Sequence, residues 1–265
     1  MNQMSERSET SSREFRPPPG LAAYVACTWC NVSRGAVGDV AQPIIPDGCA
    51  DIIVFGDGAP HVAGPAAMTQ WVRPPPAGAS ITAIRFRPGA VRAILRCDAG
   101  DLWPWGIELE AVCGRDVRLL LADLAAASSA DGRRRALERW ARHRLDLVAQ
   151  RDFLVVRAGE MLTCQPWLNL DLVTSSLGVS SRHLRRAFAL ACGYGPKTLQ
   201  RIMRLHHAIR VAVSSSPPNS LAELAVAAGY ADQSHMTRDF HELSGFTPAH
   251  YLSRFDPEVG RWLDP

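Results

Sequence analysis

The sequence predicts an α+β protein: a β-rich, barrel-like N-terminal domain followed by an all-α C-terminal domain with two helix-turn-helix units. Three observations predict it. Short apolar runs rich in β-branched residues lie between Pro and Gly turns up to about Ala99. Apolar residues then recur at helical spacing from about Ala111 onward. The last third of the chain also contains an internal repeat.

Taken in order, residues 1–14 are polar, rich in Ser, Glu and Arg, and read as a disordered tail without the apolar stretch of a secretory signal. Residues 15–110 form the β-rich domain. Runs 52–55 and 81–86 are strand-like, punctuated by Pro46-Asp47-Gly48, Gly56-Asp57-Gly58, Pro74-Pro75-Pro76 and Pro88-Gly89. Several short strands with such turns build a small barrel or sandwich. Trp103 and Trp105 flank Pro104 and are expected to plug one barrel end.

In residues 111–149, Val117, Leu120, Leu121 and Leu124 make one apolar stripe, and Leu137, Trp140, Ala141, Leu145 and Val148 make a second after a polar loop at 128–132. Two amphipathic helices follow from this spacing. Their role is to cover the barrel or to form a homodimer interface. Residues 150–255 read as helical throughout, with Pro166, Pro196, the Pro217-Pro218 pair and Pro248 at element boundaries, since proline is tolerated only in a helix's first turn. Residues 256–265 are a C-terminal tail.

The repeat carries the most information. Leu170-Asp-Leu-Val-Thr-Ser-Ser-Leu-Gly178 is followed by Ser180 and then by Leu184, Phe188, Gly193 and Pro196. Leu221-Ala-Glu-Leu-Ala-Val-Ala-Ala-Gly229 is followed by Asp232 and then by Met236, Phe240, Gly245 and Pro248. The second copy has one extra residue in its turn. Each copy reads as a short helix, a glycine turn, a capping Ser180 or Asp232, and a second helix that buries two residues four apart. The other face of each second helix is rich in hydrogen-bond donors, an arrangement suited to a DNA major groove.

These residues resemble the AraC/XylS family of transcription regulators. The stretch Ala225-Val-Ala-Ala-Gly-Tyr-Ala-Asp-Gln-Ser-His-Met-Thr-Arg-Asp-Phe240 with Gly245-Phe-Thr-Pro-Ala-His-Tyr251 carries the likeness best, and Arg201-Ile-Met-Arg-Leu-His-His-Ala-Ile-Arg210 is similar to the family's connecting helix. The resemblance implies seven helices, two of them recognition helices, and one long helix between. A connector over 196–213 would be roughly 27 Å long, against ~34 Å between major-groove faces on one side of B-DNA. Modest bending of the duplex closes the difference. By position, Ser181, Arg182, Arg185 and Arg186 in copy one and Gln233, Ser234, Thr237 and Arg238 in copy two are the candidate DNA contacts, with His235 a weaker one. Arg182 and Arg186 suit guanine edges, Gln233 suits adenine and Arg185 a phosphate. Thr174 stands where the second copy has Ala225, and its hydroxyl is expected to bond back to its own helix.

The N-terminal half says less. Pro17-Pro-Pro-Gly-Leu21, Ile45-Pro-Asp-Gly-Cys-Ala-Asp-Ile52 and Ile84-Arg-Phe-Arg-Pro-Gly-Ala90 resemble a sensor-like domain found ahead of such DNA-binding modules, which implies a cupin-like fold and a place for a small-molecule effector. Trp29, Asp51, His61, Trp71 and Arg85 are the candidate effector residues, with Asp47 beside them. The plainer readings are core packing for both tryptophans, a turn for Asp47 and an Asp51–Arg85 ion pair. Cys27-Thr-Trp-Cys30 would place its thiols on opposite faces of a strand, which argues against chelation.

The bulk numbers narrow the class. Of 29 Lys+Arg and 26 Asp+Glu, residues 151–255 hold 11 and 7, so the positive surplus sits where DNA would be met. Seven scattered cysteines read as reduced thiols, and the chain lacks a membrane-length apolar run. Neither a Walker loop nor a Gly-x-Ser-x-Gly elbow is present, so no catalytic residue, metal or cofactor is expected. The sequence thus predicts a cytoplasmic, non-enzymatic regulator of transcription, an activator that binds double-stranded DNA and contacts RNA polymerase. The alternative is a DNA-targeted repair or redox-responsive protein with a reactive N-terminal cysteine.

Overall fold

The computed structural model describes residues 13–33, 41–102, 106–146, 153–256 and 261–262. The expectations for residues 1–12, Trp103, Trp105 and Val148 lie outside them.

The N-terminal strands are β1 (Arg13–Phe15), β2 (Val25–Val32), β3 (Gln42–Ile44), β4 (Ala50–Phe55), β5 (Pro60–Ala63), β6 (Gln70–Val72), β7 (Ser80–Phe86) and β8 (Ile107–Glu108). Six of them form an antiparallel sheet in the order β1-β2-β7-β4-β5-β8, and β3 pairs with β6 as a separate ribbon. The end strands β1 and β8 do not pair with each other, so the sheet is open where a closed barrel was expected. β1 begins at Arg13, inside the stretch expected to be tail.

The helices of this half are α1 (Ala90–Leu95), α2 (Leu109–Cys113), α3 (Arg118–Ala126) and α4 (Ala130–Asp146). Strand alternation sends Ile52, Val54, Ile84 and Phe86 to one face of the sheet, where they are buried with Leu137, Trp140 and Ala141 of α4. α4 thus covers the sheet, as its apolar stripe requires. Its one buried acid, Glu138, is satisfied by Arg134 at 2.7 Å and by the Thr28 hydroxyl, which donates to it at 3.0 Å. The opposite face carries Cys27, Trp29, Ile53, Ala83 and Arg85. A central strand flanked this way is buried on both sides, which explains why β4 reads as a continuous apolar run.

The C-terminal region holds seven helices among the described residues: α5 (Phe153–Cys164), α6 (Leu170–Leu177), α7 (Ser181–Cys192), α8 (Pro196–Ala212), α9 (Leu221–Ala227), α10 (Gln233–Ser244) and α11 (Pro248–Arg254). Two short strands, β9 (Phe255–Asp256) and β10 (Arg261–Trp262), pair beyond α11. α8 runs through a core that includes Leu184, Phe188, Leu199, Ile202, Leu205, Met236 and Phe240. Its 17 residues make it about 26 Å long.

The two halves pack on each other through several contacts among the described residues. The Pro88–Gly89 turn abuts Val155 and Gly159 of α5, and α1 packs against α5 and α7. The loop before β4 meets α8, where a His206 ring nitrogen lies 2.8 Å from the Pro46 carbonyl. Thr69 donates from its N–H and its hydroxyl to the Leu243 carbonyl at the end of α10, at 3.0 and 3.1 Å.

Candidate nucleic-acid interface

Each repeat copy folds as its sequence requires. Asn169 and Ser220 cap α6 and α9 by accepting from Asp171 N–H and Glu223 N–H. Gly178 and Gly229 turn the chain at φ +66° and +76°, a region a β-carbon disfavours. Ser180 then accepts from His183 N–H at 3.2 Å and Asp232 from His235 N–H at 2.7 Å, each satisfying an otherwise orphaned helix donor. The extra residue of the second turn is absorbed between Gly229 and Asp232. Thr174 donates to the Asp171 carbonyl at 3.0 Å, the back-bond its position predicts.

α7 buries Leu184, Phe188, Ala191 and Cys192; α10 buries Met236, Phe240 and Leu243. The opposite face of α7 presents Ser181, Arg182, Arg185 and Arg186, all exposed. That of α10 presents Gln233, Ser234 and Arg238, with Thr237 half-buried. Among the described residues, Arg182, Arg185, Arg186 and Arg238 make no ion pair, whereas Arg201, Arg134, Arg139 and Arg144 do. Unpaired guanidiniums on a donor-rich helix face keep full capacity for phosphate and base-edge acceptors.

Sequence reasoning missed three residues here. His241 and Thr247 line the same shallow groove as Gln233, Thr237 and Arg238. His241 is four residues beyond Thr237, so helical spacing alone places it on that face. His183 joins Arg186 and the N-terminal domain's Arg92 around a cleft between α7 and α1, which no local pattern could show.

α10 is locked to α8. Arg201 donates to Asp239 at 2.8 Å and pairs with Glu242, and Arg204 reaches Asp239 at 4.0 Å. Asp239 is 2% exposed, so the lock sits inside the domain.

Of the candidate effector residues, three come together. The Trp29 indole N–H donates to Asp51 at 3.2 Å, and Arg85 pairs with Asp51 at 3.0 Å and with Asp47 at 3.3 Å. Burial raises the Asp51 pKa against the pull of Arg85, while the two carboxylates hold the Arg85 guanidinium charged despite its desolvation. This is the ion pair expected from sequence. His61 is elsewhere on β5, its ring 6.3 Å from that of Phe55 and its Nδ1 2.9 Å from the Ala59 carbonyl. Trp71, read as core, is 60% exposed because it lies on the β3–β6 ribbon, where its ring meets Phe246 edge-on at 6.1 Å.

Cys27 and Cys30 point to opposite faces of β2, register partners of Arg85 and Thr82. Burial pushes the Cys27 thiol up to about 11 and the Cys192 thiol to about 12, and raises Cys30 and Cys49 as well. Such thiols are poor nucleophiles at neutral pH. No group of His, Cys, Asp or Glu suited to a metal ion occurs among the described residues, and no helix among them is long and apolar enough to cross a membrane.

Residues 173–254 match a family model described as a helix-turn-helix domain, and residues 13–104 match a domain of unknown function, DUF6597. Among solved structures the chain is similar to apo ToxT from Vibrio cholerae strain SCE256, in a single-residue variant, at 11% identity and TM-score 0.39, covering 92% of this chain and 96% of that one. ToxT from Vibrio cholerae O395 is similar at 11% identity and TM-score 0.39, with 87% and 92% covered. No curated protein matches the sequence.

Proposed function

We propose, from the premise that residues 173–254 are an AraC-type helix-turn-helix domain and the chain a DNA-binding transcription regulator, that α7 and α10 are paired recognition helices for successive major grooves of one duplex. The observation that carries this reading is the matched pair of second helices, each burying its apolar residues and presenting unpaired donors on the other face. Arg182 and Arg186 read guanines in one half-site, Gln233 reads adenine in the other, Arg185 holds a phosphate and Arg238 a base or a phosphate. α8 fixes their separation. The regulator acts in the cytoplasm as an activator through contact with RNA polymerase, and its N-terminal domain senses an effector or sets the dimer state.

Selection from randomised duplexes tests it. The expected motif has two half-sites roughly 10 base pairs apart. Arg182→Ala and Arg186→Ala should each lose about 1–3 kcal/mol of binding and blur only the first half-site, and Gln233→Ala only the second. Binding without a motif that vanishes as salt rises would leave the phosphate attraction alone and defeat the proposal.

A further inference from the structure

A cleft of about 540 Å³ outside the DNA-facing helices lies between α3 and α4. That volume is in the range of small-molecule sites, roughly 300–1,000 Å³. Its charged lining is Arg96, Arg115, Arg139 and Arg144 with Asp116 and Asp123. Arg144 pairs with Asp116 at 2.6 Å and Arg139 with Asp123 at 2.7 Å, so both acids are already neutralised. Arg115 is exposed and makes no ion pair among the described residues. The rest of the wall is His143 and three apolar residues, with Trp140 and Leu120 buried and Leu119 standing 76% exposed at the rim.

A second observation points to the same place. Arg96 is the one residue other than glycine with positive φ among those described, at +62°. It ends α1 in the left-handed conformation, its N–H donating to the Arg92 carbonyl. Glycine closes a helix this way without strain, so the helix end alone does not explain an arginine there. Non-glycine residues held in this backbone region cluster at functional sites, and this one lines the cleft.

The cleft also connects to the DNA-facing region. Arg144 donates to the Ile94 and Leu95 carbonyls of α1 at 2.7 and 3.3 Å. The far side of α1 packs against α7. We propose that this cleft binds a small organic anion with an apolar body, a carboxylate or sulfonate, and that occupancy is transmitted through Arg96, Arg144 and α1 to α7. The second half rests on the reading that α7 contacts DNA.

The test uses the full-length chain and the fluorescent anion 1-anilinonaphthalene-8-sulfonate. One saturable site is expected. Arg115→Glu, a charge reversal at an exposed position, should weaken it by about tenfold or more, while Arg118→Glu, on α3 outside the cleft, should change it less than about twofold. The anion should also shift affinity for the selected duplex in the wild type and not in Arg115→Glu. Absent saturable binding, or equal binding by Arg115→Glu, overturns the site. So does a dimer that Leu119→Asp dissociates and that binds no anion, because a second copy would then cover the cleft. Anion binding without any duplex binding would sink the DNA reading and leave the site standing; duplex binding without anion binding would do the reverse.

Discussion

The two helix-turn-helix units share their caps and turns but are held in place differently. In the second unit Asp239 sits between Arg201 and Arg204, tying α10 to the connector from within the C-terminal domain. The corresponding residue of the first unit is Ala187, which can make no such tie. α7 packs on α5, α6 and α8 of its own domain and also on α1 and the 3-10 turn Ala99–Leu102 of the N-terminal domain. The N-terminal domain reaches the end of α10 through the Thr69 hook at its last turn and the Trp71–Phe246 contact beside it. A change in the N-terminal domain therefore has its broadest purchase on the arginine-rich unit, while the second keeps its own anchor.

Disturbing each anchor separately would break or confirm this division. The largest effect is expected for Gly89→Ala. A β-carbon there would lie 2.4 Å from Val155 Cγ1 on a backbone at φ +82°. The left-handed alanine and the overpacking together cost about 2–4 kcal/mol. Hydrogen exchange should rise along α7 and not along α10; a uniform rise would mean that the units are not separately held. Asp239→Ala should give the opposite pattern, loosening α10 and sparing α7. Its cost is about 1–3 kcal/mol, less than for a fully buried pair because Arg201 is 27% exposed to water.

What could be read from the sequence was what is fixed locally. The caps Ser180 and Asp232, the glycine turns and the apolar pairs Leu184/Phe188 and Met236/Phe240 are set by residues within four positions of each other, so both units were legible with their exposed faces. The Asp51–Arg85 pair was legible because strand-like runs limit which side chains can meet. The sheet order was not, since β2 pairs with β7 across some fifty residues and nothing local specifies that partner. Trp71 shows the same limit: an aromatic in a strand reads as core unless its strand is known to lie on a ribbon outside the sheet. The cleft between α3 and α4 brings together residues from three segments, and only the fold reveals its charge.

Smaller effects sharpen the comparison. Thr69→Val keeps the side chain's shape and removes one of the two donors that Thr69 sets on the end of α10. The loss should be about 1 kcal/mol, since the backbone N–H still donates to Leu243. If α7 loosened as much as α10 in that variant, the hook would not be specific to the second unit.

The smallest effect concerns pH and belongs to the connector beside the second unit. His207 of α8 lies edge-on to Trp167 at 5.4 Å, and Trp167 also packs against the Gly229 turn. Burial and the nearby Arg210 charge lower its pKa from 6.5, partly opposed by a hydrogen bond to the Ala227 backbone. A histidine whose folded pKa is depressed binds its proton more readily when unfolded. Its share of stability is therefore full above 6.5 and is lost as pH falls through the lowered folded value. Between about pH 7.5 and about pH 5 the wild type should lose more stability than His207→Gln, which has no such proton to take up. The difference should appear as faster exchange in α9 and its glycine turn, with α6 and α7 unchanged. Identical pH profiles for the two proteins would show that the ring is as well solvated folded as unfolded, and that the second unit's anchor is independent of pH.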